Sequence, residues 1–510
     1  MEFLRNDSGG LSYGSLAVVV AGIVILQQVG TLIYRVFFHP LAKYPGPFLN
    51  SISALPAALS LLRGRFPFDN KIHHEKYGPV FRLSPNELVF SSAQATQDIY
   101  GFRPGHQNMK KSPLHTGPVK VGSTTTLQYV DSDADHARQR KALSHSFSQH
   151  ALMEQEPIVK DYMDKVIFNL RRLATSQETF NICDWFNYFT FDTMGDLAFG
   201  EPFGCLDNGT YQEWVHMLFY AVQDGARIQA TRRIAGVNTV LQRALQFCIK
   251  DLGKGGAYHV EHTRRKVLAR LERGQETKHR DFIWYILRQN EKYELKTDEI
   301  IANSGLFITA GSETTASALA GLIARLVWNP SCYQKLVTEI REAFPTEDSI
   351  TFKALNGMTY LNACIEEILR VHPPVPAGPP RAVPPGGDTV DGIWVPGGTT
   401  VSVGQWSSCH DPANFKRPDE FLPERWIDAE FDSDNKKAVQ PFSVGPRNCI
   451  GRNLAYMEMR VMIARLFWNF DVLSVDGAPL WNPKGDLMYK TAFMVWERSI
   501  IMVKLKDLRR

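Results

Sequence analysis

One short loop near the C-terminal end constrains the fold of this 510-residue chain more than any other segment. Residues 442–451 read FSVGPRNCIG and place Cys449 between Gly445 and Gly451, just before a helical pattern. Glycine permits tight turns and close approach of a flat ligand, and the positive end of a helix dipole favours a thiolate. A thiolate is the metal-binding form of cysteine, so such a loop is able to supply a metal ligand. The alternative is a buried structural cysteine, which is the usual state of a lone one and the preferred reading for Cys449 taken by itself.

The other cysteines and the net charge exclude several classes of protein. The seven cysteines are scattered and include no C-x-x-C pair, which argues against a disulfide framework and a zinc site. The pattern is typical of a chain whose bulk lies in a reducing compartment. A net charge of +4 over 510 residues gives no indication of nucleic-acid binding.

An apolar segment close to the N-terminus predicts a membrane anchor. Residues 16–34 read LAVVVAGIVILQQVGTLIY, 19 residues without a charge, about enough to cross a bilayer as a helix. A cleaved signal peptide and a buried core helix are the alternatives. Arg35, His39 and Lys43 follow the segment, so the positive-inside rule places the body of the protein in the cytosol. The predicted parts are a lumenal tail (1–15), a transmembrane anchor (16–38), a proline-rich hinge (39–49) and one domain (50–510).

Hydrophobic periodicity predicts a mainly α body with a small β-rich part. A strand pair is expected within residues 80–92, and turns with short strands within 373–403. The longest helix is expected from Thr297 to Asn329, before Pro330. Further helices are expected over residues 359–371 and after Cys449. Helix breaks are expected near Pro157, residues 202–204 and residues 253–256.

The cysteine loop, written F-x-x-G-x-R-x-C-x-G, resembles the haem-binding signature of the cytochrome P450 family at all five specified positions. The resemblance implies the P450 fold, a triangular helical body around a buried haem b. It implies that Cys449 is the proximal ligand of the iron and that Phe442 and Gly451 lie against the cofactor. A thiolate in that position donates electron density to iron and promotes O–O cleavage.

A second motif lies within the longest predicted helix, where residues 310–315 read AGSETT. Two threonines beside a glycine make a poor helix interior, and a threonine hydroxyl can bond a backbone carbonyl and bend the helix. The motif matches the acid–hydroxyl pair that P450s carry over the distal face of the haem, beside Ala310. The resemblance implies that Thr314 steadies dioxygen and that Glu313, with ordered water, supplies protons.

A third motif is Glu367-Ile-Leu-Arg370, which places an acid and a base on one helix face. Taken alone, it would be read as an exposed ion pair of little energetic weight. It matches the E-x-x-R motif of P450s, and Arg425 in the sequence FLPERW matches the third member of that trio. The resemblance therefore implies a buried, structural trio of charges.

Four basic residues match positions that contact the haem propionates in the family. Arg447 lies two residues before the cysteine, and Arg381 follows two prolines. His136 and Arg140 match W-x-x-x-R, with histidine in place of the more common tryptophan. Surface charges are the alternative reading for each of the four.

The resemblance implies a microsomal monooxygenase held in the endoplasmic reticulum membrane, with its catalytic domain in the cytosol. One atom of O₂ would enter a small apolar organic substrate by hydroxylation or epoxidation. No dinucleotide-binding motif is visible, so electrons are expected from NADPH–cytochrome P450 reductase. General likeness favours fungal enzymes of secondary metabolite or mycotoxin biosynthesis. A haem-thiolate isomerase or dehydratase and a non-catalytic haem-binding or scaffold protein are the alternatives.

Two surfaces of such an enzyme can be assigned from the sequence as hypotheses. A basic docking face for the acidic reductase is expected from Arg138, Lys141, Lys436, Lys437 and Arg452. The substrate pocket is expected from residues 108–122, 208–240, 306–310 and 374–380. Their apolar candidates are Leu114, Val119, Phe219, Phe307 and Val375.

Overall fold

The computed structural model of the protein describes residues 13–115, 121–275, 280–475, 490–498 and 500–509. The α-helices of these residues are α1 (Tyr13–Ile33), α2 (Phe48–Ile52), α3 (Leu55–Leu62), α4 (Phe66–Tyr77), α5 (Ala93–Tyr100), α6 (Asp133–Ser144), α7 (Gln149–Ser176), α8 (Ile182–Phe199), α9 (Cys205–Asn208), α10 (Glu213–Ala235), α11 (Val240–Phe247), α12 (Lys254–Glu272), α13 (Phe282–Tyr293), α14 (Thr297–Trp328), α15 (Pro330–Ala343), α16 (Phe352–Leu355), α17 (Thr359–Val371), α18 (Gln405–Cys409) and α19 (Arg452–Asn469). The strands are β1 (Val80–Ser84), β2 (Glu87–Phe90), β3 (Lys110–Lys111), β4 (Phe180–Asn181), β5 (Arg381–Ala382), β6 (Asp388–Val390), β7 (Ile393–Val395), β8 (Thr400–Val403), β9 (Phe470–Ser474), β10 (Thr491–Ala492), β11 (Val495–Trp496) and β12 (Met502–Asp507).

Helix α14 forms the centre of the molecule. It packs most extensively against α8 and also contacts α12, α17 and α19. Its start is fixed by Glu299, whose carboxylate accepts a hydrogen bond from the backbone N–H of Lys296 at 2.9 Å. It ends at Trp328, and Pro330 begins α15. The expected bounds of this helix are confirmed to within one residue, and α17 has the bounds predicted for it.

The β-rich part is a five-stranded mixed sheet with the order β1-β2-β8-β5-β3. Strands β1 and β2 form the predicted hairpin, and β2 pairs in parallel with β8 from the opposite end of the chain. Strand β5 then pairs antiparallel with both β8 and β3. The sheet therefore brings the segment around residue 110 next to residue 381, close to the cysteine loop.

Two of the expected helix breaks need correction. Helix α7 continues through Pro157, although proline cannot donate a helical hydrogen bond. Leu152, Gln155, Ile158 and Val159 on the neighbouring turns are buried, so their packing offsets the lost bond. The break expected near residues 253–256 lies slightly earlier, between the end of α11 at Phe247 and the start of α12 at Lys254. Gly255 lies inside that helix, and a Cβ at this position would approach the carbonyl oxygen of Met217 to 2.5 Å. The close contact between α12 and α10 therefore requires glycine there.

The N-terminal apolar segment forms α1 followed by a π-helical turn over Tyr34–Phe38. The stretch Leu16–Phe38 is long and apolar enough to cross a membrane, and its most apolar window has none of its residues buried in the protein. Helix α14 meets the same criterion, but 61% of its window is buried, as expected for a core helix. The segment boundaries at residues 15, 38 and 49 stay predictions.

Candidate active site

One cavity of about 330 Å³ is lined by residues of the cysteine loop, of the motif at residues 310–315 and of the His136–Arg140 motif. Its walls include most of the cofactor-contact residues that the sequence indicated, namely His136, Arg140, Ala310, Thr314, Phe442, Arg447, Cys449 and Gly451. Glu313, Arg381 and the charged trio are not among its lining residues. The cysteine loop, the start of α6 and the middle of α14 therefore meet in one enclosure.

The cysteine loop is held in place by backbone geometry and by one arginine. Gly445 has a φ of +76°, and a Cβ there would overlap the carbonyl oxygen of Tyr100, so only glycine suits this turn. The backbone N–H of Cys449 donates to the carbonyl oxygen of Phe442 at 2.9 Å. Arg140 donates to the Asn448 side-chain oxygen at 2.6 Å and to the Asn448 carbonyl oxygen. These contacts leave the Cys449 thiol open to the cavity.

The surroundings of Cys449 act on the pKa of its thiol in opposite directions. Burial raises the pKa of the Cys449 thiol, and this effect exceeds the opposing effects of the Gly451 N–H and of the charges of Arg140 and Arg452. Helix α19 begins only at Arg452, so Cys449 lies outside its first turn. A coordinated metal ion deprotonates a thiol directly, so a bound cation would stabilise the thiolate here.

Gly451 does not need the backbone freedom that the sequence indicated for it. It has no left-handed φ, and a Cβ would meet only Cys449 Sγ and Phe147 Cε1, both at 4.0 Å. Its backbone would therefore accept alanine. The remaining reason for glycine at this position is its place in the cavity wall, where a side chain would take up space next to the thiol.

The α14 motif places its two polar residues differently. The Thr314 hydroxyl donates to the carbonyl oxygen of Ala310 at 2.7 Å, as the sequence indicated, and Thr314 lines the cavity. Glu313 does not line the cavity, and its Oε2 is buried without a hydrogen-bond partner among the described residues. Burial raises the pKa of Glu313 to about 7, against the charge of Arg498. A proton could therefore be held or released there near neutral pH.

The Glu367 trio lies behind the cavity and is completely buried. Arg370 donates to the Glu367 carboxylate at 2.7 Å and 2.9 Å, and Arg425 Nε lies 3.4 Å from the same carboxylate. Arg425 also pairs with Asp434. The side chains of Glu367, Arg370 and Arg425 are all 0% exposed. The exposed ion-pair reading is therefore excluded for this motif.

The basic residues near the cavity are arranged around strands β3 and β5 and the start of α6. Arg447 donates to the carbonyl oxygen of Val130 at 2.7 Å and to Asp133 at 2.9 Å. Burial, with the charges of Arg447 and Arg140, lowers the pKa of His136 to about 4, so its imidazole is neutral at pH 7. Burial lowers the pKa of Arg381 to about 10.

The cavity also contains residues that the sequence did not indicate. Glu458 lines it from α19, and burial raises its pKa to about 8, against the effect of a hydrogen bond with Thr315. In the sequence, Glu458 is recognisable as an acid on the apolar face of the helix after Cys449, between Leu454 and Val461. Lys111 lines the cavity too. It lies in the segment 108–122 that was expected to contribute to the pocket, although it was not among the candidates named there.

The expected substrate segments contribute unequally to the cavity. Segments 306–310 and 374–380 contribute to its wall, with Phe307 and Val375, and segment 108–122 contributes Lys111, whereas residues 208–240 do not line it. Leu114 and Phe219 are not lining residues, and Val119 lies outside the described residues. Phe219 packs in an aromatic cluster instead, with the Arg498 guanidinium 3.8 Å from its ring centre.

Comparison with known proteins agrees with this geometry. The family model for cytochrome P450 matches residues 56–492. The chain belongs to the cytochrome P450 family. Cytochrome P450 monooxygenase aba2 of Botryotinia fuckeliana is 40% identical over 507 residues, covering 97% of this chain and 96% of that protein. The P450 monooxygenases astJ of Aspergillus oryzae and ABA2 of Pyricularia oryzae are 41% and 38% identical, over 93% and 99% of this chain.

Membership confirms the P450 fold, the oxidoreductase class and haem b as the cofactor. P450 monooxygenases use O₂, an organic substrate and a redox partner. The residues of this P450 suit a haem, because the cavity joins an accessible thiol, apolar walls and a cationic edge. Among the described residues no group of three or more His, Cys, Asp or Glu side chains could hold a metal ion. Cys449 is the single thiol among the described residues that line this cavity.

Proposed function

We propose that this P450 inserts one oxygen atom from O₂ into a small apolar organic molecule, by hydroxylation or epoxidation, in fungal secondary metabolism. The observation that carries the proposal is the shared cavity, in which the Cys449 thiol and the Thr314 hydroxyl are enclosed by apolar walls. The relatives from three fungi, all of them named P450 monooxygenases, support the same reading. They also make a non-catalytic role the weaker alternative.

Bound haem supplies the site with oxygen activation, which the thiolate ligand promotes. Cys449 would bind the iron, and Arg140 would hold the loop that carries this cysteine, through Asn448. Arg447, His136 and Arg381 would face the propionates, as the resemblance implies. Arg447 is already ordered by its bonds to Val130 and Asp133, so little conformational entropy would be lost on cofactor binding.

The cavity walls bind and orient the substrate through apolar contact. Leu306 and Phe307 come from α14, Val375 from the segment after α17, and Met494 from the turn between β10 and β11. Apolar walls favour apolar ligands and exclude water from the reacting atoms. Because these residues come from three separate segments, small changes in each can alter substrate choice.

Thr314 and Glu313 would handle protons. The Thr314 hydroxyl hydrogen is directed to the Ala310 carbonyl oxygen, so its oxygen remains available as an acceptor. Glu313, with a pKa of about 7, can hold a proton at neutral pH and release it. Because Glu313 is not in the cavity wall, a proton would reach Thr314 through ordered water. An isomerase or dehydratase would have no use for this arrangement.

We assign electron supply to NADPH–cytochrome P450 reductase at the endoplasmic reticulum membrane, with residues 16–38 as the anchor. The exposed positions Lys141, Lys437 and Arg452 suit a basic docking face. Lys436 is half-buried, and Arg138 is already paired with Glu299 and Asp135, so both offer less charge to a partner. Reversing the three exposed charges should slow reductase-driven turnover at low salt. Unchanged turnover would exclude this face.

The first test is the carbon-monoxide spectrum of the reduced protein. The wild-type chain should show the band of a thiolate-ligated haem, and Cys449→Ser should lose it. Cys248→Ser is the matched control, because Cys248 is exposed. Retention of the band in Cys449→Ser would refute the assignment of the iron ligand.

The second test measures how NADPH consumption is coupled to product with purified reductase. Thr314→Val keeps the shape of the side chain but removes the hydroxyl. We expect on the order of 100-fold less product, with the electrons appearing as hydrogen peroxide. Thr314→Ser should retain most of the coupling. Equal coupling in the valine and serine variants would refute the role of the hydroxyl.

A further inference from the structure

Met194 on α8 packs directly against the motif at residues 310–315 of α14. A Cβ at Gly311 would lie 2.8 Å from Met194 Sδ and 2.9 Å from its Cε, so the thioether occupies the space over this glycine. Gly311 and Thr314 are three residues apart and therefore share one face of α14. Met194, Gly311 and Thr314 all line the cavity. A sulfur atom thus lies in the cavity wall, less than one helical turn along α14 from Thr314.

The surroundings of Met194 restrict how an oxidant can reach its sulfur. Met194 is only 1% exposed, and the cavity is the open space that it borders. Met153 on α7 is 45% exposed, whereas Met163 on the same helix is 0% exposed and is not a lining residue of the cavity. A reagent formed inside the cavity would therefore meet Met194 first, and a reagent in the medium would meet Met153 first.

The chemistry of a thioether gives this position a possible role beyond packing. Filling a gap between helices is the common role of a buried methionine, and it accounts for the contact with Gly311. A thioether also takes up one oxygen atom from hydrogen peroxide and becomes a sulfoxide. A sulfur lone pair forms the S–O bond as the O–O bond breaks, and the proton of the transferred hydroxyl passes to the departing hydroxide, which leaves as water. Sulfur loses two electrons and the peroxide gains them, so the step needs no further reactant.

We propose that Met194 is a modification site, at which hydrogen peroxide released inside the cavity forms methionine sulfoxide and so ends turnover. The inference rests on the proposed function, because that reaction yields peroxide whenever electrons reach O₂ and the substrate is not oxygenated. Sulfoxide formation makes a flexible apolar side chain polar, which is unfavourable in a packed contact. The contact with Gly311 should loosen, and with it the turn in which Thr314 donates to the Ala310 carbonyl oxygen. Each uncoupled cycle would then make the next one less coupled.

The site is mapped by mass spectrometry of peptides after turnover with NADPH, purified reductase and catalase, in the absence of substrate. Catalase removes the peroxide that reaches the medium. Met194 should carry about 10-fold more sulfoxide than Met153, because the oxidant is formed in the cavity. In a second sample hydrogen peroxide is added to the holoenzyme without NADPH, and the order should reverse, with Met153 oxidised first. Met163 should stay unmodified in both samples.

The effect on turnover is tested with two leucine variants of similar side-chain volume. Met194→Leu removes the reactive sulfur and keeps an apolar contact, and Met163→Leu makes the same change at a core position away from the cavity. The activity lost per NADPH consumed should be about 10-fold smaller in Met194→Leu than in the wild type, whereas Met163→Leu should match the wild type. The inactivated wild type should keep its thiolate carbon-monoxide band, which excludes loss of haem as the cause.

Three results would overturn the proposal. One is a Met194 that is no more oxidised than Met163 while NADPH is consumed, and another is equally fast inactivation of Met194→Leu and the wild type. The third is inactivation that follows the sulfoxide of Met459 or Met494, which line the same cavity, in place of that of Met194. Failure of the proposed function is read separately, because the wild type would then lack the thiolate carbon-monoxide band or would not consume NADPH.

Discussion

Removing the negative charge of Glu367 without changing the size of its side chain should cost about 3 kcal/mol of folding stability. The Glu367 carboxylate accepts hydrogen bonds from Arg370 at 2.7 Å and 2.9 Å, from the Leu422 N–H at 2.9 Å and from Trp426 Nε1 at 3.0 Å. In Glu367→Gln one oxygen becomes an NH₂ group that faces donors. The two buried arginines also lose their shared counter-charge.

The magnitude follows from what each arginine retains. Breaking a buried ion pair by removing one partner costs about 3–5 kcal/mol. Arg425 keeps Asp434, and Arg370 keeps the carbonyl oxygens of Cys409, Pro418 and Glu420. Neither cation is left without acceptors, so the lower end of the range applies.

The assay is urea unfolding of the solubilised holoenzyme, followed by tryptophan fluorescence and by the haem band. Glu420→Gln is the matched control. Arg417 and Glu420 also form an ion pair three residues apart, but both of their side chains are 53% exposed. Its removal should cost at most about 1 kcal/mol. Coincident unfolding midpoints for the Glu367 and Glu420 variants would show that the buried trio does not stabilise the fold as reasoned here.

Two further predictions concern the cavity. Gly445→Ala should lower the free energy of unfolding by about 1–2 kcal/mol or more, because Gly445 has a positive φ and a Cβ there would overlap Tyr100. Gly451→Ala should leave the unfolding midpoint of the apoprotein unchanged but weaken haem retention. Equal loss of stability in both would contradict the loop geometry. Because the pKa of Glu458 is raised to about 8, its stabilising protonated form is fully present below pH 4–5 and is lost as the pH rises through about 8. Stability should fall over that range by up to about 4–5 kcal/mol more in the wild type than in Glu458→Gln, and parallel pH profiles in urea unfolding would contradict this.

Local patterns in the sequence predicted the elements whose determinants are close together in the chain. The bounds of α14 follow from acids in its first turn and from Pro330 after its end, and the β1–β2 hairpin follows from alternation around a turn. The cysteine loop and the Glu367 motif could also be recognised in the sequence, because each consists of a few residues at fixed spacing. Their roles in catalysis stay predictions.

The features that sequence reasoning missed depend on contacts between distant residues. The continuation of α7 through Pro157 depends on packing of its flanking turns, which outweighs a local signal. Segment 108–122 was expected in the pocket, but the place of Lys111 in the wall depends on the pairing of β3 with β5, some 270 residues later in the chain. Phe219 was expected in the pocket because it is apolar and lies in a segment assigned by resemblance, and apolarity does not distinguish a cavity wall from a packed cluster.

The pairing of β2 with β8 has a consequence for how the protein is made. Glu87 lies beside Thr400, and the cavity wall runs from Thr96 to Met494, with the proposed iron ligand at Cys449. At about 5–20 residues per second, a ribosome needs roughly 20–70 s to pass from the first wall residue to that cysteine. If Cys449 binds the iron as proposed, the complete cofactor site is therefore available only when synthesis is nearly finished.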